Sequence, residues 1–122
     1  MSGYKELLVY QRGYAAARSI YRMTESYPKE ERYGITDQIR RAAVSIPLNT
    51  AEGYAKKDSQ AEFGRFLDMA KGSANEVSVL IDFSRDLGYI SEEVHTKATA
   101  EYEEIAKMLS TLSKRTKKAS KI

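Results

Sequence analysis

Gln38-Ile-Arg-Arg-Ala-Ala-Val-Ser-Ile-Pro-Leu-Asn-Thr-Ala-Glu-Gly53 is the stretch whose reading decides this fold. It is helix-forming at both ends and carries Pro47 in the middle. Wound at about 100° per residue, it presents three faces. Ile35, Ile39, Ala42, Ala43, Ile46 and Thr50 form one apolar face. Val44, Leu48, Ala51 and Ala55 form a second. Gln38, Arg41, Ser45, Asn49 and Glu52 line a polar third. A surface helix needs one apolar face. A helix with two needs two neighbours, within the chain or across an oligomer interface. The second face is therefore a candidate oligomer interface, with packing inside the chain as the other way to cover it.

The polar stripe has two readings. One is a half-buried network, because buried polar groups need partners. Arg41 would then pair with Glu52 across an interface or with Glu76, and Ser45 and Asn49 would serve backbone groups freed by Pro47. The other is a groove for a ligand or RNA.

Working outward, the chain before and after this segment divides into three more helices. The first is expected from Gly3 or Tyr4 to Ser26, with Leu7, Leu8, Gln11, Tyr14, Ala15, Ala17, Ile20, Tyr21 and Thr24 at spacings of three and four. Gly13 weakens it and Pro28 ends it. Pro28 to Tyr33 reads as a short helical turn broken by Gly34. Thr36 or Asp37 is the expected cap of the second helix, which runs to Tyr54 or Ala55. Pro47 removes one backbone hydrogen bond and predicts a kink. The third helix starts at Asp58 or Ser59, with Glu62 completing a capping box. Its seam is Phe63, Phe66, Leu67, Ala70, Ala74, Val77, Ile81 and Ser84, and Leu87-Gly88 stops it. Small residues at Ala70, Gly72, Ser73 and Ala74 predict a close helix approach. The fourth starts at Ser91 and frays into a basic tail. Short connections make neighbours antiparallel. The expectation is an all-α, up-down-up-down four-helix bundle over residues 1–113, with a tail over 114–122.

A chain of 122 residues is one domain with room for one core. It has no cysteine, hence no disulfide framework and no thiolate metal site. No signal-like or membrane-spanning run is present, so a cytoplasmic location is expected. The net charge of +3 is uneven. Five of the 20 basic residues, Lys114, Arg115, Lys117, Lys118 and Lys121, lie at the C-terminal end. The other 15 face 17 acidic residues, so the body is close to neutral. A basic end suits nucleic-acid phosphates, or simply a helix terminus favoured by the macrodipole. Tyr4, Tyr10, Tyr14 and Tyr21 share the first helix with Arg18 and Arg22. Such residues stack on bases, bridge a protein interface or pack at a core edge.

No catalytic constellation appears. His95 is the single histidine. With Glu92 and Glu93 it reads as a solvated first turn. Glu30-Glu31 and Glu103-Glu104 are adjacent and do not face one another. There is no phosphate-binding glycine loop and no paired Glu-x-x-His for a di-iron site. No cofactor or metal is called for.

Several motifs carry a resemblance. Tyr10-Gln11, Ile20-Tyr21, Tyr27 to Gly34, Gln38 to Pro47, Asn49 and Ala51-Glu-Gly53 resemble the four-helix-bundle proteins encoded in 23S rRNA intervening sequences. Phe63, Phe66-Leu67, Ala70, Gly72-Ser-Ala74, Glu76 and Leu87-Gly-Tyr89 extend the match, which spans roughly residues 5 to 112. Thr50 stands where the family usually has isoleucine. The resemblance implies an antiparallel bundle assembled into a ring, a pentamer, and implies no known catalytic activity. A related branch, the accessory variability proteins of diversity-generating retroelements, is a basic ring that binds nucleic acid and a reverse transcriptase. The near-neutral body here departs from that branch. The function expected is a non-enzymatic, ring-forming homo-oligomer that binds RNA or DNA, or an RNA-handling partner. Lys114, Arg115, Lys117, Lys118, Lys121, Arg18 and Arg22 are its candidate nucleic-acid contacts. An adaptor for a reverse transcriptase and a purely structural oligomer are the alternatives.

Overall fold

The computed structural model describes residues 3–120. These form four helices: α1 (Leu8–Thr24), α2 (Ile35–Ala55), α3 (Gln60–Asp86) and α4 (Glu92–Ser120). Among the described residues there is no strand. Each helix packs on its neighbours, most extensively α3 on α2 and on α4, whereas α1 touches α4 lightly. The centre is Ile39, Ala43, Ile46, Leu67, Ala74, Val77, Ile81, Ile105 and Leu109, all fully excluded from solvent.

Helix ends set by nearby residues follow the sequence signals. Ser59 Oγ accepts the Glu62 backbone N–H, and Ser91 Oγ accepts that of Val94. Each satisfies a donor the first turn leaves open. The reciprocal half of the box at Ser59 does not form, because the Glu62 carboxylate is held by Arg65 at 3.0 and 3.2 Å. At the end of α3, Gly88 has φ +79°. That left-handed residue lets the Tyr89 N–H return to the Ser84 carbonyl at 2.8 Å.

Other ends differ from expectation. A single turn of 3₁₀ helix, Tyr4–Glu6, precedes α1, and Leu7 is extended, so α1 begins at Leu8. Tyr4 folds edge-on against Tyr10, and the Gln11 side chain holds the Lys5 carbonyl at 2.8 Å. The cap of α2 is neither Thr36 nor Asp37, which both lie inside the helix. The Glu31 carboxylate accepts the Ile35 N–H at 3.1 Å and the Tyr89 hydroxyl at 2.7 Å. A Cβ at Gly34 would sit 2.6 Å from that carboxylate. The missing side chain is what admits the cap.

α2 stays helical across Pro47. Thr50, the departure from isoleucine, is fully buried, and its hydroxyl donates to the Ile46 carbonyl at 2.8 Å. Of the four small residues of α3, Ala70 and Ala74 are fully buried and Ser73 meets Ser45 of α2 at 2.8 Å, whereas Gly72 has open space around it. Gly13 lies under Ile46 and Pro47, Gly53 under Phe63 and Phe66, and Gly64 against Thr116. α1 is turned from part of its expected face, of which Ala17, Ile20 and Thr24 are buried as expected. Val9, Gly13, Ala16, Ala17, Ile20 and Thr24 are buried, whereas Leu8, Tyr14 and Tyr21 are exposed. Small residues let α2 come close on the buried side, and the amphipathic tyrosines keep their ring edges in water.

Candidate functional site

The second face of α2 and the tyrosine face of α1 meet in an open groove of about 550 Å³. Tyr10, Tyr14, Ala17 and Tyr21 form one wall, and Val44, Pro47, Leu48 and Ala51 the other. Leu48 keeps 61% of its surface exposed there and Tyr14 keeps 52%. Arg18 and Arg22 also line it, and neither makes an ion pair among the described residues. Burial, and then the neighbouring Tyr4 and Tyr14 hydroxyls, push the Tyr10 hydroxyl above its ordinary pKa. At the far end Arg40 stacks over the Tyr21 ring at 4.6 Å while its Nε donates to Thr24 Oγ1. The structure thus gathers the expected interface residues Val44, Leu48 and Ala51 with two arginines assigned to nucleic acid. Ala55 is exposed, one turn beyond the groove lining.

The polar stripe divides. Ser45 Oγ lies 2.8 Å from Ser73 Oγ, a hydrogen bond joining α2 to α3. Asn49 Nδ2 donates to the Ser45 carbonyl and Oγ, both at 2.9 Å. The carbonyl that Asn49 reaches is Ser45's, not the Ala43 carbonyl that Pro47 cannot serve. Arg41 pairs with Asp37 at 3.8 Å, and Glu52 with Lys56 at 4.0 Å. Both pairs are local, one turn apart on or just beyond α2, so Arg41 reaches neither Glu52 nor Glu76. They are exposed, as is Gln38. Exposed pairs of this kind contribute about 0–1 kcal/mol. Of the stripe, Ser45 and Asn49 form a half-buried network with Ser73, and the other three residues take no part in it among the described residues.

Lys114, Arg115, Lys117 and Lys118 of the C-terminal end stand on a helix. α4 does not fray after Ser113, because Ser113 and Thr116 are buried. Ser113 Oγ donates to Asp68 at 2.6 Å, and Thr116 fills the space left by Gly64. At about 100° per residue, Lys114, Arg115, Lys117 and Lys118 fan over the arc opposite Thr116. Lys117 pairs with Asp68 at 3.3 Å. Lys114, Arg115 and Lys118 are exposed and make no ion pair among the described residues. Lys121 lies outside the described residues. None of the four described cations lines the aromatic groove, so the two sets of expected nucleic-acid contacts are separate among the described residues.

Sequence reasoning missed a second group beside this turn. Lys57 lies 4.3 Å over Tyr54, and Arg65 4.6 Å over Phe66, which Lys56 also approaches at 5.8 Å. The Gly64–Thr116 contact brings this α2–α3 connection next to the basic turn of α4. The signal was Lys56-Lys57 following Tyr54. Also unforeseen is the α1–α4 pair of Arg12 and Glu101 at 2.6 Å, which holds the guanidinium above its ordinary pKa.

His95 is not a solvated first-turn residue. Its side chain is 12% exposed, with Nε2 2.8 Å from Asp82 and Nδ1 3.5 Å from the Arg85 guanidinium. No cluster of three metal-ligating side chains occurs among the described residues. No helix among them is long and apolar enough to cross a membrane.

Four packed helices with an aromatic groove and a basic helix end define an all-α bundle protein in which nothing described points to a reaction. The family described as 23S rRNA-intervening sequence protein matches residues 5–111, and the chain belongs to it. It is similar in structure to a crystallised protein of unknown function from the S23 ribosomal protein family of Bacteroides thetaiotaomicron. That likeness has a TM-score of 0.79 at 25% identity and covers 88% of this chain and 96% of the other. No curated protein matches the chain.

Proposed function

We propose that this protein is a non-enzymatic, ring-forming four-helix bundle that binds RNA in the cytoplasm. The helices run up-down-up-down, each antiparallel to the next. Contact order supports this direction. From Ser45 to Gly53 on α2, the partner on α3 moves back from Ser73 to Phe63. From Gly64 to Asp82 on α3, the partner on α4 moves back from Thr116 to His95. The apolar groove supports self-association, and the family resemblance favours a pentamer.

The observation that carries RNA binding is the set Lys114, Arg115 and Lys118, exposed without ion pairs among the described residues on a helical turn anchored by buried Ser113 and Thr116. Cations held this way present phosphates with positive charge on a backbone that folding has already ordered. The test is anisotropy of a labelled structured RNA across a salt series, with mass by light scattering. Five cations predict a log–log salt slope of about −4.5 per chain on a duplex. Lys114→Gln/Arg115→Gln/Lys118→Gln should flatten it by about 2.7. A flat response of the unaltered protein overturns the proposal.

A further inference from the structure

We infer that the α1–α2 groove of one copy receives the outer ridge of α3 from the next copy. The inference rests on the ring assembly proposed above and names the two surfaces that make it. The ridge is Val79, Phe83 and Leu87, at i, i+4 and i+8. They are 53%, 54% and 51% exposed, an apolar line on a helix whose other side is core. An exposed apolar line of this regularity marks an interaction surface.

Shape and length agree. The ridge from Val79 to Leu87 is about 12 Å long, and Val44 to Ala51 covers about 10 Å of groove at 1.5 Å per residue. A helix edge laid between two helices is a common docking mode. Charge agrees too. Arg18 and Arg22 line the groove without ion pairs among the described residues. The ridge is bordered by Asp82 and Asp86, with Glu76 one turn before Val79. Asp82 and Asp86 touch His95 and Arg85, yet their side chains remain 59% and 69% exposed. Opposite charges across an interface fix register and suppress wrong pairings.

The alternative of groove against groove is disfavoured on the same grounds. Two concave faces leave a void, and Arg18 and Arg22 would face their own copies. A contact between two different surfaces is heterologous, and repeated around an axis it gives a ring when the rotation closes.

The chain has no cysteine, so an introduced pair reports one contact. Leu48 and Phe83 are both more than half exposed, so Leu48→Cys and Phe83→Cys should fold. The expected result is that mild oxidation of the double variant gives a ladder of cross-linked species ending at the ring. Mixed single variants should give only dimers, and each alone should give none. Cross-linking of Leu48→Cys alone would show groove on groove and overturn the inference. An oligomer of unchanged mass without a Leu48–Phe83 cross-link would place the partner surface elsewhere and overturn it while leaving the ring. A monomer at all concentrations would remove the ring itself. As a second measurement free of cysteine, Arg18→Glu/Arg22→Glu should lower the mass at a given concentration. Unchanged mass would also count against the inference.

Discussion

Leu48→Asp separates folding from assembly at one position. In the single chain Leu48 is 61% exposed on the groove wall. A substitution at such a surface site changes fold stability by about 0.5 kcal/mol, plus a few tenths for helix propensity. In an assembled contact the same carboxylate would be taken out of water. A fully buried leucine is worth about 1.5–3 kcal/mol, so covering the exposed part contributes roughly 1–2. Burying an unpaired carboxylate costs several kcal/mol more. Together these weaken each contact by about 4 kcal/mol, close to a thousandfold in dissociation constant. Sedimentation or light scattering over a concentration series should show monomers, with a helical circular dichroism spectrum and a melting temperature within a few degrees of the parent. Ile46→Asp, two residues away and fully buried, should instead unfold the chain. Unchanged mass for Leu48→Asp would refute the reasoning, because the groove would then be open to water in the assembled protein.

Gly64→Ala drives a Cβ into the Thr116 hydroxyl on a buried helix contact. It should cost about 1–3 kcal/mol, read by thermal melting, and an unchanged midpoint would show that α3 and α4 separate freely there. The Glu31 carboxyl is held below its usual 4.5 by the Tyr89 hydroxyl first and the Ile35 N–H second. Its contribution is therefore complete above pH 4.5 and is lost as acid carries the pH through the lower folded-state value. The stability advantage over Glu31→Gln should shrink in that window, and a constant difference in urea melts down to strong acid would contradict the cap. Truncation after Ser113 should lower the melting temperature, because it removes Thr116 from the core. The triple glutamine variant at Lys114, Arg115 and Lys118 should stay within about 0.5 kcal/mol of the parent. Equal melting temperatures for the truncation and the full chain would show that the last turns of α4 do not pack.

Features governed by neighbours in sequence were legible. Ser59 and Ser91 cap as expected, Gly88 turns the chain after α3, and the α3 seam is buried except for half-buried Phe66. Features governed by distant partners were not. The cap of α2 comes from Glu31, and Tyr89 holds it from 58 positions away. Arg12 and Glu101 are 89 positions apart. α1 was misphased because its tyrosines look apolar in a periodicity count, while Gly13 and Ala16 look indifferent. Packing reverses that order, since a close helix approach favours the small residues. One wall of the groove, the second face of α2, could be read from the sequence. The other became visible only once α1 was turned. Ser113 and Thr116 hid the continuation of α4 for a related reason, because hydroxyl residues satisfied by a carboxylate or a backbone carbonyl can sit in a core.

That continuation changes what the basic end can do. On a free tail, each cation would be ordered at the moment of binding, at an entropic cost. On α4, buried and charged residues alternate within the same two turns, so folding has already fixed the backbone that carries the cations against α3. The aromatic groove lies on α1 and α2 and uses none of them. The proposed assembly, groove on ridge, therefore leaves one basic turn open on every copy. A ring would present these turns as a repeated set at fixed spacing. Binding that is weak for one turn then gains from multivalency, provided the RNA spans neighbouring copies. Assembly and RNA binding are in this way separable by mutation yet coupled in affinity. Leu48→Asp should weaken RNA binding without removing any phosphate contact from the single chain.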